Sequence, residues 1–137
     1  MTTKRTTLAA LAALALAAAL LWAPGPARAQ APGPDLSGAY AITGTDPGGA
    51  APYHGSAVLT RQGAAYLFEA EIDGVRYAGL GLHDPQAGVL ALSFLEGDDA
   101  HSLGVTVLHV EGDALRGSWV ARGQLQDAPG GEVWTRR

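Results

Sequence analysis

Cysteine is missing from all 137 residues. No disulfide, thiolate metal site, thiol nucleophile or iron–sulfur cluster can form without it. Stability has to come from packing and from closure of the backbone ladder. Positive charge is scarce as well. Nine Lys and Arg stand against thirteen Asp and Glu, and three of the nine (Lys4, Arg5 and Arg28) fall within the first 29 residues. The remaining six are scattered arginines, so residues 30–137 carry a net charge of −7 with His neutral. The absence of a basic cluster argues against nucleic acid and against anionic membrane surfaces as partners.

Long apolar runs are absent apart from one at the start of the chain. From Leu8 to Trp22 the sequence is almost entirely Ala and Leu, short of the ~20 residues that a spanning helix needs. Lys4-Arg5 precedes it, Pro24-Gly25-Pro26 breaks it, and Ala27-Arg28-Ala29 supplies small residues at a cleavage site. The pattern predicts a signal peptide over residues 1–29, cleaved after Ala29, and an exported protein, periplasmic or secreted, with no membrane span after cleavage. Residues 30–35, "QAPGPD", read as a flexible Pro/Gly linker. Residues 36–137 read as a single domain, long enough to bury a core of its own.

Beyond the leader, helix periodicity is lacking too. Short alternating runs recur instead, with turn residues between them. They predict eight strands: 36–43, 53–61, 65–72, 75–83, 89–95, 103–111, 114–121 and 132–136. Asp73-Gly74 between the third and fourth is a strong hairpin signal, because a type I′ turn needs positive φ at both central residues. Hairpin-length connections make an up-and-down meander, and pairing the first strand with the last removes both exposed edges. The expected fold is therefore an all-β, eight-stranded antiparallel up-and-down barrel, with a two-sheet sandwich as the alternative. A barrel of eight strands is either filled by its side chains or holds one small ligand.

Parity assigns the faces. Tyr40 and Ile42, Tyr53 and Leu59, Tyr66 and Phe68, and Leu115 and Trp119 fall on inward faces, interleaved with glycine. The fourth strand breaks the pattern, since Leu80 and Leu82 have the parity opposite to Tyr77. Either a bulge at Gly79-Leu80-Gly81 resets the alternation, or the two leucines face outward. In the second case strands 75–95 offer an apolar surface for self-association or for a partner.

Catalytic and metal-binding signatures are missing. His54, His83, His101 and His109 have no metal-site spacing. Asp98-Asp99 are neighbours in a tight turn and point apart. The serines sit in no nucleophile elbow, and no phosphate or dinucleotide loop occurs. The expectation is a protein without enzymatic activity, metal or cofactor. What stands out is aromatic: the side chains fill a core, or they line a pocket at one barrel mouth in which tyrosine hydroxyls orient a ligand. For the pocket the candidate ligand-binding residues are Tyr40, Tyr66, Phe68, Tyr77 and Trp119.

Gly38-Ala39-Tyr40 stands where lipocalin-like and avidin-like barrels carry G-x-W, and Trp134 with Arg136 resembles the aromatic–Arg closure of such barrels. Tyr53-His54-Gly55 and the run from Asp113 to Trp119 ("DALRGSW") are similar to the Gly/aromatic strands of small exported bacterial β-barrel proteins, a largely uncharacterised family. The resemblance implies the barrel. It does not imply biotin, because the polar contacts of avidin-like sites have no counterpart here. The function expected is binding of a small apolar or aromatic ligand at one barrel mouth. The alternative is a protein-interaction module or hydrolase inhibitor of the cell envelope, acting through loops or outer strand faces.

Overall fold

The computed structural model describes residues 33–49 and 51–137. The expected signal peptide and the first part of the expected linker lie outside the described residues. Eight strands follow in order: β1 (Gly38–Thr45), β2 (Pro52–Gln62), β3 (Ala65–Ile72), β4 (Val75–Asp84), β5 (Val89–Glu96), β6 (Asp99–Glu111), β7 (Ala114–Ala121) and β8 (Gly130–Arg136). A single 3₁₀ turn, Arg122–Gln124, precedes β8. Each strand pairs antiparallel with the next, and β1 pairs with β8, so the sheet closes into a barrel. The sandwich alternative is thereby replaced, since closure leaves no free edge.

Turn chemistry fixes the register. Asp73 and Gly74 adopt φ of 49° and 83°, and Ile72 pairs directly with Val75 across them. That is the type I′ geometry expected. Gly112-Asp113 makes a second two-residue turn between Glu111 and Ala114. Gly97-Asp98 makes a third between Glu96 and Asp99. The last differs from expectation: the sixth strand begins at Asp99 rather than Leu103, because the turn takes only two of the residues read as loop. The extra residues are absorbed by a register shift between Phe94 and Glu96. There the Ser102 hydroxyl accepts from the Glu96 N–H at 2.7 Å and donates to the Asp99 carbonyl at 2.7 Å.

The fourth strand contains no bulge. Its pairing with β3 is continuous, and Leu80 and Leu82 face outward, 59% and 62% exposed. Gly79 and Gly81 take the inward positions because β5 crosses close beneath them. A β-carbon on Gly79 would strike the Ser93 carbonyl.

One end of the barrel is shut. Leu36, Tyr40, Ile42, Leu59, Tyr66, Leu90, Leu108 and Leu115 are all buried. Tyr40 donates its hydroxyl to the Leu36 carbonyl at 2.8 Å. The Tyr66 hydroxyl accepts from the Leu36 N–H at 3.2 Å and donates to Asp35 Oδ1 at 3.3 Å. Arg136 lies over the Tyr40 ring, 5.2 Å from its centre, and donates to the carbonyls of Ser37 and Asp35 at 2.7 and 3.2 Å. The first strand and the last are thus tied together by a cation–π contact and two charge-assisted bonds. Asp35, placed by sequence in the flexible linker, belongs to this plug.

Replacing Arg136 with Ala is expected to destabilise the barrel by roughly 1–2 kcal/mol. A urea titration of the variant, with unchanged slope and a lower midpoint, checks this.

Candidate functional site

The opposite end is hollow. A cavity of about 410 Å³ opens there. It is lined by the rings of Tyr53, Phe68, Tyr77, Phe94, Trp119 and Trp134, by Ile72, Val75, Leu92 and Ala121, and by Thr106 and Glu132. Its rim is formed by Asp46 in the β1–β2 loop, Asp73 in the β3–β4 turn, Asp99 and His101 at the start of β6, and Gln124 in the 3₁₀ turn.

Glycines on neighbouring strands decide how the rings lie. Gly44 pairs with Tyr53 across β1 and β2, and a β-carbon on Gly44 would collide with the tyrosine ring. The bare glycine lets that ring lie flat against β1, which carries its hydroxyl to Glu132. Gly130 pairs with Trp119 across β8 and β7 in the same way. Trp119 then meets Tyr53 and Phe94 edge to face, with centroids 6.1 and 5.9 Å apart. Phe94 continues the chain to Tyr77 at 6.0 Å. These tilted contacts are the favoured ones for aromatic rings.

The floor is Trp134, 1% exposed. It stacks on Phe68 at 5.5 Å and tilts against Tyr40 at 5.9 Å. Above the floor sits a carboxyl group that is 7% exposed. Glu132 Oε1 accepts from the Thr106 hydroxyl at 2.8 Å, and Oε2 from the Tyr53 hydroxyl at 3.1 Å. Burial pushes the Glu132 carboxyl above its usual range, and the hydroxyls of Thr106 and Tyr53 that donate to it pull against that shift. Burial pushes the Tyr53 hydroxyl up too, and the neighbouring Glu132 adds to it. The N–H groups of Trp119 and Trp134 are buried and close no hydrogen bond within the described residues.

Of the residues proposed from sequence for a ligand site, Phe68, Tyr77 and Trp119 line this cavity. Tyr40 and Tyr66 stand at the shut end instead, committed to Leu36, Asp35 and Arg136. The reason is position along the strand: both lie near the ends of β1 and β3 that meet the termini, whereas the cavity opens at the other ends. Tyr53, Thr106, Glu132 and Trp134 were not among the sequence candidates. Glu132 shares parity with Trp134, two residues on, so an acid on an inward face was visible in the pattern. Thr106 shares parity with Leu108 in the same way. Among the described residues no three His, Asp or Glu side chains are grouped to hold a metal ion.

No protein-family model matches the chain, and no curated protein matches it significantly.

The Glu132 linkage has a definite sign. A carboxyl whose folded pKa lies above its unfolded value binds more protons in the folded state. Its contribution therefore favours folding at low pH and turns against it as pH rises from the ordinary glutamate value through the raised one. Glu132→Gln removes that dependence. Stability measured by urea titration across pH is expected to shift in favour of the Gln variant as pH rises, relative to the parent chain.

Proposed function

We propose that this protein is an exported, non-enzymatic binding protein that takes one small apolar or aromatic ligand into the open barrel mouth. The observation that carries this reading is the hollow half of the barrel: about 410 Å³, walled by six aromatic rings. A cavity of this size falls within the range of small-molecule sites, which are mostly apolar with a few convergent polar groups. Here those groups are Glu132, Tyr53 and Thr106. The binding residues of this reading are Phe68, Tyr77 and Trp119 together with Tyr53, Phe94 and Trp134. Export follows from the leader, and the intact mass of protein recovered from the expressing cells tests it: loss of residues 1–29 is the expected outcome.

The probe of choice is N-phenyl-1-naphthylamine, an apolar dye that brightens out of water. It is expected to bind at one dye per chain. Val75→Trp, which places an indole in the mouth, is expected to abolish binding in protein of unchanged circular dichroism. Tyr40→Phe, at the shut end, is expected to leave the affinity unaltered. A dye signal that survives Val75→Trp and disappears with Tyr40→Phe would place the site at the wrong end.

The outer surface supports a second reading, a protein-contact face. Leu80 and Leu82 on β4 adjoin Leu67 on β3 and Ala91 on β5, and Val105 and Val107 continue the face on β6. All four of the larger β4 and β6 side chains are exposed. Contiguous apolar surface of this kind marks interaction sites. On this reading sedimentation shows mass rising with concentration, and Leu82→Lys returns a monomer. A parent chain that stays monomeric and captures no envelope protein counts against it.

A further inference from the structure

We infer that the ligand is an organic cation: an amine carried on an apolar or aromatic body, its ammonium group held by Glu132 and the rings around it. This rests on the carrier reading above and specifies its ligand class. Four observations converge on it.

First, Glu132 is buried in the cavity with half of its bonding capacity unused. A carboxylate offers about four lone-pair positions, and the Thr106 and Tyr53 hydroxyls occupy two. Both partners are neutral, so neither cancels the charge. Second, no Arg or Lys side chain lines the cavity among the described residues. Among the described residues the basic side chains that form ion pairs, Arg76 and Arg116, do so with Glu71 and Glu111 on exposed surface. Among the described residues, then, none supplies a counter-cation to Glu132, and an unpaired buried charge is costly. Third, the wall is aromatic on nearly every side, and ring faces attract cations, most strongly when water is excluded. Fourth, the rim carries Asp46, Asp73 and Asp99. Acids around a low-dielectric mouth raise the local concentration of cations and turn anions away. The buried Trp134 N–H, also lining the cavity, closes no hydrogen bond among the described residues.

A cation entering this site draws the Glu132 proton off. Below the raised pKa of the empty site, binding releases a proton to buffer, and affinity rises with pH until the carboxyl is ionised in the free protein. The other titratable groups sharing the cavity are Asp46 beyond β1, Tyr53 on β2, Asp73 beyond β3, Tyr77 on β4, and Asp99 and His101 on β6; β5, β7 and β8 add none besides Glu132. His101 is exposed at the mouth, away from the buried carboxyl.

The experiment is calorimetry of the protein as recovered from the expressing cells, with three probes that share one body: 4-phenylbutylamine, 4-phenylbutanol and 4-phenylbutyrate. The amine is expected to bind roughly tenfold or more tighter than the alcohol, and the carboxylate weakest. The amine's heat should depend on the buffer's ionisation enthalpy in the sense of proton release. Glu132→Gln should bring amine and alcohol to equal affinity, chiefly through loss of the amine's advantage. If that variant fails to fold, the probe ranking and the buffer dependence of the parent chain still decide the matter. Equal binding of amine and alcohol, or a preference for the carboxylate, overturns the inference and leaves the carrier reading standing. Failure of all three, together with failure of the neutral dye, overturns both.

Discussion

The stack of Trp134 on Phe68, with Tyr40 tilted beneath it, partitions the barrel. Below it every inward position is filled. Above it the rings hold to the wall and leave space. The indole can serve as a partition because it comes from β8, the strand that closes the sheet, and reaches across to β3. Its neighbours in register, Ile42 on β1 and Leu115 on β7, are themselves buried. The closure of the sheet and the floor of the cavity are thus the same set of residues. A barrel without this large side chain at that level would collapse inward or fill with solvent, since close packing is what gives the interior its rigidity.

Glycine does the complementary work on the wall. A closed eight-stranded barrel is narrow, and six large rings cannot all point at its axis. At Gly44 and Gly130 the missing β-carbon lets Tyr53 and Trp119 lie along the neighbouring strand. The rings then become lining rather than filling. The same device sets the polar chemistry, because the position of the Tyr53 ring over Gly44 brings its hydroxyl to Glu132. Packing and site are therefore coupled: a methyl group added at Gly44 would disturb the carboxyl's hydrogen bonds as well as the fit of the ring.

The two ends answer to different forces. The shut end is held by directional contacts between the chain's extremities, Asp35 and Leu36 before β1 and Arg136 at the close of β8. The open end is held by hairpins and by the irregularity at Ser102, and its acids face water. Rigid scaffold at one end and short loops around a mouth at the other is the arrangement that lets a fold carry a site without weakening its core.

Alternation and turn residues were enough to place all eight strands, and Asp73-Gly74 and the third and seventh strands were legible to the residue. The inward set was legible too, from Tyr40 to Trp119, because side-chain direction in a strand is a local property with period two. Even Glu132 lay in the pattern, by its parity with Trp134. What the sequence alone could not decide was depth. Whether an inward ring stands near the shut end, as Tyr40 and Tyr66 do, or near the open one, as Tyr77 does, depends on the stagger of eight strands and on which termini meet. The same is true of the pairings that set Tyr53 over Gly44 and Arg136 over Tyr40. Those are contacts between residues 9 and 96 positions apart, and only closure of the sheet brings the second pair together. Local chemistry thus determined the strands, their turns and their faces. The tertiary structure decided that one end of the barrel is hollow, and that a buried carboxyl with no cationic partner among the described residues lies inside it.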